Sequence, residues 1–143
     1  DKTKATGKLT VEIKDKQGNV KETRELENLV VDTGLAFIAS RMKDATATAM
    51  SHMAIGTGTS AAASGNTALG TEAARVALTS TTVTSNAVAY VCSFAAGTGT
   101  GAITEAGILN AASTGTLLCR TVFSVVNKGA SDSMTITWTV TIS

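Results

Sequence analysis

The stretch Met134-Thr135-Ile136-Thr137-Trp138-Thr139-Val140-Thr141-Ile142 decides the fold class. Met134, Ile136, Trp138, Val140 and Ile142 occupy every second position, and threonines fill the positions between. Successive side chains of an extended chain point to opposite faces, so this spacing builds a strand with one apolar and one hydroxylated face. A helix would scatter the same residues around its circumference.

The same period recurs upstream. Val88, Tyr90, Cys92 and Phe94 share a face of a strand that begins at Asn86, and Leu9, Val11 and Ile13 alternate with Lys8, Thr10, Glu12 and Lys14. After a turn over Asp15–Asn19, Val20 to Glu27 reads as the return strand of a hairpin. Further strands are expected over Met50–Ile55, Arg75–Thr84, Ala102–Leu109 (with a bulge near Gly107) and Thr116–Val126. Gly56–Asn66 reads as a flexible loop and Thr67–Glu72 as a short connection with one helical turn. The chain holds 13 glycines and no proline, so its turns rest on Gly, Asn and Asp. One helix is expected over about residues 33–42, capped by Asp32 or Thr33, with Leu35, Ile38, Ala39 and Met42 on one face and Phe37 and Arg41 beside it.

Short strands at roughly ten-residue spacing make the chain mainly β. The expected architecture is an antiparallel β-sandwich or jelly-roll-like barrel with one short helix and an N-terminal β-hairpin arm. A chain of 143 residues fits one domain. It divides into a charged hairpin arm over 1–31 and a helix plus neutral β body over 32–143. Aromatics are 3% of the residues, so Val, Ile, Leu, Ala and Thr methyls must fill most of the core around Tyr90, Phe94, Phe123 and Trp138.

Charge is unevenly spread. Up to Asp44 there are 9 basic and 8 acidic residues; beyond it only Arg75, Arg120, Lys128, Glu72, Glu105 and Asp132 remain. The total of 16% lies below the roughly 25% of ordinary soluble domains. A neutral Thr/Ser/Ala surface packs readily against identical neighbours, so the body is expected to assemble. The net charge of +1 selects neither nucleic acid nor an acidic membrane as partner. No stretch reaches the roughly 18 apolar residues of a membrane span. The Asp1–Lys4 start has no apolar signal core behind it, so synthesis in the cytoplasm is expected.

The residues needed for chemistry are scarce. His52 is the single histidine and sits at a strand start, so no catalytic triad is expected. Gly56-Thr57-Gly58 lacks the Gly-Lys-Ser/Thr of a phosphate loop and the third glycine of a dinucleotide fingerprint. Cys92 and Cys119 lie in apolar runs and are expected as buried free thiols. With one histidine they do not make a standard zinc site. Glu72 and Glu105 are expected to pair with Arg75 or Arg120, fixing register or an interface. No catalytic, cofactor-binding or metal-binding residue is assigned; the structural candidates are Glu72, Arg75, Glu105 and Arg120.

The order Met53-Ala54-Ile55-Gly56-Thr57-Gly58, Thr67-Ala68-Leu69, Glu72, Arg75, Ile103-Thr104-Glu105-Ala106-Gly107-Ile108 and Gly115-Thr116-Leu117-Leu118-Cys119-Arg120 resembles the N-terminal attachment domain of phage tail-collar and tail-fibre proteins. With Asn28-Leu29-Val30-Val31 ahead of it and Trp138 behind, the chain also looks like short virion proteins of tailed phages, some of them head decoration (cement) proteins. A fibre normally continues into a trimeric shaft, whereas this chain stops at Ser143, so a decoration protein is the expectation. The resemblance implies a non-enzymatic homotrimer on the capsid surface, with the major capsid protein as partner and no cofactor. Tail, collar or baseplate proteins are the alternative partners. A carbohydrate-binding module ranks third, because sugar platforms use exposed aromatics.

Overall fold

A computed structural model describes residues 4–44 and 46–143. The expectation for Asp1–Thr3 lies outside the described residues, as does Ala45 in the polar loop after the helix.

Nine strands and one helix follow each other as β1 (Ala5–Lys14), β2 (Val20–Val30), α1 (Asp32–Lys43), β3 (His52–Gly56), β4 (Glu72–Ala77), β5 (Ser80–Thr84), β6 (Ala87–Phe94), β7 (Gly101–Leu109), β8 (Leu117–Lys128) and β9 (Ser133–Ile142). The strands form one antiparallel sheet in the order β4-β3-β7-β8-β2-β1-β9-β6-β5, curled so that its two halves face each other. The mainly β, antiparallel architecture is therefore as the alternation requires.

Two corners curl the sheet. The first is β2, which pairs with β1 from Asn28 to Val20 but with β8 only through Leu29↔Arg120 and Val30↔Cys119. Below that point β2 and β8 part, and side chains span the gap. Arg24 donates to the carbonyls of Ser124 (3.0 Å) and Val125 (2.9 Å), and the Thr121 hydroxyl donates to Glu27 O (2.9 Å). Ser124 and Val125 reach Arg24 because β8 bulges there, with Val122 to Val126 opposite only Glu105 to Ile103 on β7. The second corner lies between β4 and β5. Leu78 N–H bonds Ser51 O in one half of the sheet, and Thr79 N–H bonds Val91 O in the other. The single strand expected over Arg75–Thr84 is thus two strands, broken where the chain crosses between halves.

The inner faces enclose one core. Leu9, Val11, Ile13, Tyr90, Phe94, Ile136 and Trp138 meet Met53, Ile55, Ile103, Ile108, Phe123 and Val126 across it. Leu9 lies opposite both Leu26 and Trp138, so the N-terminal hairpin is built into the sheet. It does not stand off as an arm: β1 pairs with β9 over ten positions and contributes three fully buried side chains. Its charges belong to the outward positions of β1 and to β2.

The helix differs from expectation. Its N-cap is Val31, with no side-chain cap bond. Asp32 N–H bonds Ser64 O, and the Thr33 hydroxyl donates to Leu117 O at 2.8 Å. Leu35 and Met42 are exposed, and the inward face is Gly34, Phe37 and Ile38. Gly34 explains the rotation. A Cβ there would overlap the Leu118 carbonyl, so the helix docks backbone-to-backbone on β8 through its one position without a side chain. The Thr67–Glu72 connection contains no helical turn, and Glu72 already begins β4.

Gly34→Ala should lower stability by about 1–3 kcal/mol, the range for overpacking, because the helix must lift from β8. Urea unfolding against Leu35→Ala, a change at an exposed helical position, measures the difference.

Candidate functional site

The outer face of β3-β7-β8 is covered by the chain between β3 and β4. Under that cover lies a buried carboxylate. Glu105 on β7 has no solvent exposure, and its two oxygens accept five hydrogen bonds. Oε2 accepts from the amides of Gly58 (2.7 Å) and Thr71 (2.7 Å). Oε1 accepts from the Gly70 amide (2.8 Å) and from Arg120 Nε (3.1 Å) and Nη2 (2.9 Å). Arg120, on the neighbouring strand β8, is 2% exposed. Its remaining donors reach Ser60 O (3.1 Å), Asn66 Oδ1 (2.9 Å) and Ala61 O (3.5 Å). The Thr104 hydroxyl adds a bond to Gly58 O at 2.8 Å.

This arrangement explains the glycine-rich loop. Amides of Gly58, Gly70 and Thr71 converge on an anion as they do in a phosphate loop, but the anion is the protein's own carboxylate. A Cβ at Gly58 would collide with Glu105 Oε2, and one at Gly56 with the Thr71 carbonyl, so both positions need glycine for the close approach. Beneath the loop, Leu69 packs with Val31, Ala54, Leu109 and Leu117 in a second small apolar cluster. Burial pushes the Glu105 pKa up, but the three amides and Arg120 outweigh it and hold the carboxyl below its ordinary value of 4.5.

A second pair pins a second loop. Arg75 on β4 forms an ion pair with Glu72 (2.7 Å) and donates to Ala111 O (3.0 Å) and Thr114 O (2.8 Å), holding the 110–116 turn against the sheet edge. Each sequence candidate thus has a defined partner: Glu105 takes Arg120, Glu72 takes Arg75. The two carboxylates are thus engaged by different arginines.

The last two late charges are also used internally. Lys128 is 1% exposed and donates to Ala95 O (2.9 Å) and Asp132 O (2.8 Å). Desolvation lowers its pKa and the Asp132 charge opposes that shift. Asp132 accepts from Lys21 at 2.8 Å and from the Gly129 amide. Neither Lys128 nor Asp132 is marked by any sequence motif; only the scarcity of charge around them hints at a structural use. Asn66, which is uncharged, lacks even that signal.

His52 meets its neighbour Ser51, with Nδ1 2.8 Å from Oγ. Cys92 and Cys119 are free and buried, and burial pushes the Cys92 thiol to about 11 and Cys119 higher still. Neither is therefore a thiolate near neutral pH. Among the described residues, no group of three or more His, Cys, Asp or Glu could hold a metal ion. Nor is any helix among them long and apolar enough to cross a membrane. No protein-family model matches the chain, and neither a curated protein nor a solved structure matches it.

Glu105→Gln should destabilise the protein by about 3–5 kcal/mol, because Arg120 is left buried without its counter-charge and the new NH2 faces either the Gly58 and Thr71 amides or the Gly70 amide and Arg120, none of which can accept from it. Chemical denaturation measures this, and thermolysin cleavage within 57–71 should accelerate as the cover loosens. The depressed pKa also fixes a pH window. The folded value lies below the unfolded one, so the contribution is complete above pH 4.5 and is lost as pH falls through the folded value. Acid unfolding of wild type should steepen below 4.5, and Glu105→Gln should flatten that limb.

Proposed function

We propose that this protein is a non-enzymatic structural component of a tailed-phage virion, a capsid decoration protein that bridges and stabilises neighbouring capsid subunits. One observation carries the reading. Of the six charged residues beyond Asp44, Glu105, Arg120, Lys128 and Asp132 are buried, and Glu72 and Arg75 neutralise each other. The surface of the body is therefore more neutral than its composition implies. Such a surface loses little solvation when covered by protein, which suits burial against many copies of a shell subunit.

The resemblance to phage attachment domains supports the same reading. Of the residues that carry it, Gly56, Gly58, Leu69, Glu105, Gly107 and Arg120 meet in one place and tie a loop to a sheet, and Glu72 and Arg75 tie the 110–116 turn. Residues of this kind fix a loop to its sheet, which suits a protein whose proposed role is mechanical. As a decoration protein it assembles as a homotrimer on the capsid surface, with the major capsid protein as partner. A tail, collar or baseplate adaptor that anchors a fibre is the second reading, favoured by the fibre-domain likeness of the same residues.

Purified protein mixed with DNA-free expanded capsids should co-sediment with them, at a copy number that matches the capsid lattice. Free protein in the supernatant, with immunogold labelling at the tail tip, would move the assignment to the tail adaptor.

A further inference from the structure

The two edges of the curled sheet are treated differently. On β4, Glu72 and Arg75 stand at the edge, the pairing with β3 shifts register at Gly56, and Arg75 ties the 110–116 turn beside the strand. Charge, irregularity and cover are the devices by which sheet edges avoid other strands. On β5 none of them is present. Ser80-Thr81-Thr82-Val83-Thr84 carries no charge and no proline, pairs with β6 in unbroken register, and is exposed at all five positions. Its β-branched residues favour extended pairing.

The neutrality extends well beyond the edge. From Val76 through Thr104 there is no charged residue. Beside β5, a groove of about 400 Å³ runs between the strand ends and α1, lined by Phe37, Ile38, Met42, Val83, Val88 and Val140, with one charged side chain, Arg41, which donates to the Ala47 carbonyl at 2.8 Å. Met42 and Val83 stand at its sides, 83% and 69% exposed.

We propose that the β5 edge pairs antiparallel with β5 of a second copy of this chain, about a two-fold axis at Thr82. The occupant follows from the charge pattern. A two-fold contact sets residues against their own copies, so any nearby charge would meet its like and repel. An uncharged edge within an uncharged segment is complementary to itself. In the pair Thr82 faces Thr82, Thr81 faces Val83 and Ser80 faces Thr84. The backbone groups on the open side of β5 gain partners, and the arriving copy covers Val83 and the adjacent groove. The contact makes pairs, where the resemblance implies trimers. It concerns the free protein, apart from the trimer proposed on the capsid surface, so a failure of capsid binding leaves it standing and its own failure leaves capsid binding untouched.

Sedimentation velocity over a concentration series decides it. Wild type should pass from the 14.4 kDa chain mass to twice that mass, and Val83→Lys should hold the single-chain mass throughout. Val83 is exposed, so the variant should keep the wild-type circular dichroism. Hydrogen exchange on wild type gives an independent reading: amides of Ser80–Thr84 should exchange more slowly as concentration rises. A wild type that stays monomeric overturns the proposal. So does a dimer or trimer that Val83→Lys leaves intact, and so does exchange in β5 that ignores concentration.

Discussion

A single buried carboxylate holds the outer layer of this molecule in place. Glu105 lies on the face of β7 that points away from the main core, where an ionised group without partners would cost several kcal/mol. Five donors offset that cost, and three of them are backbone amides of one loop. The loop has no strand or helix of its own to satisfy those amides. Each side therefore answers a need of the other. Arg120 completes the arrangement by turning its remaining donors to Ser60, Ala61 and Asn66 on the same loop. A hydrophobic replacement of the ion pair could not do this, because it would leave the loop's amides and carbonyls buried and unpaired. The pair specifies where the loop lies, whatever its net contribution to stability.

That role has a consequence for the surface. Arg120, Glu105, Lys128 and Asp132 are drawn into the interior to fasten loops and turns, so they no longer contribute to the field outside. The charges that do reach water sit mainly on β1, β2 and α1. A polar trough of about 690 Å³ lies over β1, β2 and β9, with Lys8, Glu25 and Glu27 among rows of threonine hydroxyls. One molecule thus presents a mixed-charge face along its hairpin and a bare hydroxyl and methyl face around β5 and β6. The division at Asp44, visible as a change in composition, becomes a division between two kinds of surface.

How much of this the sequence disclosed follows from where side-chain period carries information. β9, β6 and β1 alternate cleanly because one of their faces is buried and the other wet, and their inward residues are those the alternation names. β7 is buried on both faces from Ile103 to Leu109, so its pattern is ambiguous: the bulge expected near Gly107 is absent there, where Gly107 pairs regularly with Arg120, and the register with β8 shifts at Ile103/Glu105 and at Ile108/Leu109. The corner at Leu78-Thr79 leaves no trace in hydropathy, since it is made by two amides that bond to opposite halves of the sheet. The helix face departs from its apolar spacing, which points to Leu35 and Met42, because the docking surface is set by a missing side chain at Gly34. At the site, the scarcity of charge marked Glu105 and Arg120. The loop amides that complete it could not be read, because every residue has an amide and only the fold decides which ones converge.

The two surfaces differ in what can bind them. Charges on the hairpin face are exposed and of mixed sign, so they act through screened interactions that weaken as salt rises and that set orientation more than affinity. The β5 face offers strand hydrogen bonds and β-branched side chains, which salt screens far less. A partner at the hairpin face must present a complementary charge pattern, which an unrelated protein can supply and an identical copy supplies poorly. A partner at the β5 edge needs only an uncharged strand, and this chain carries one. The guarded β4 edge limits the process: with its charges, its register shift and the 110–116 turn in place, it does not offer a second template. Pairing at β5 therefore stops at a closed contact and does not run on as an open chain of sheets.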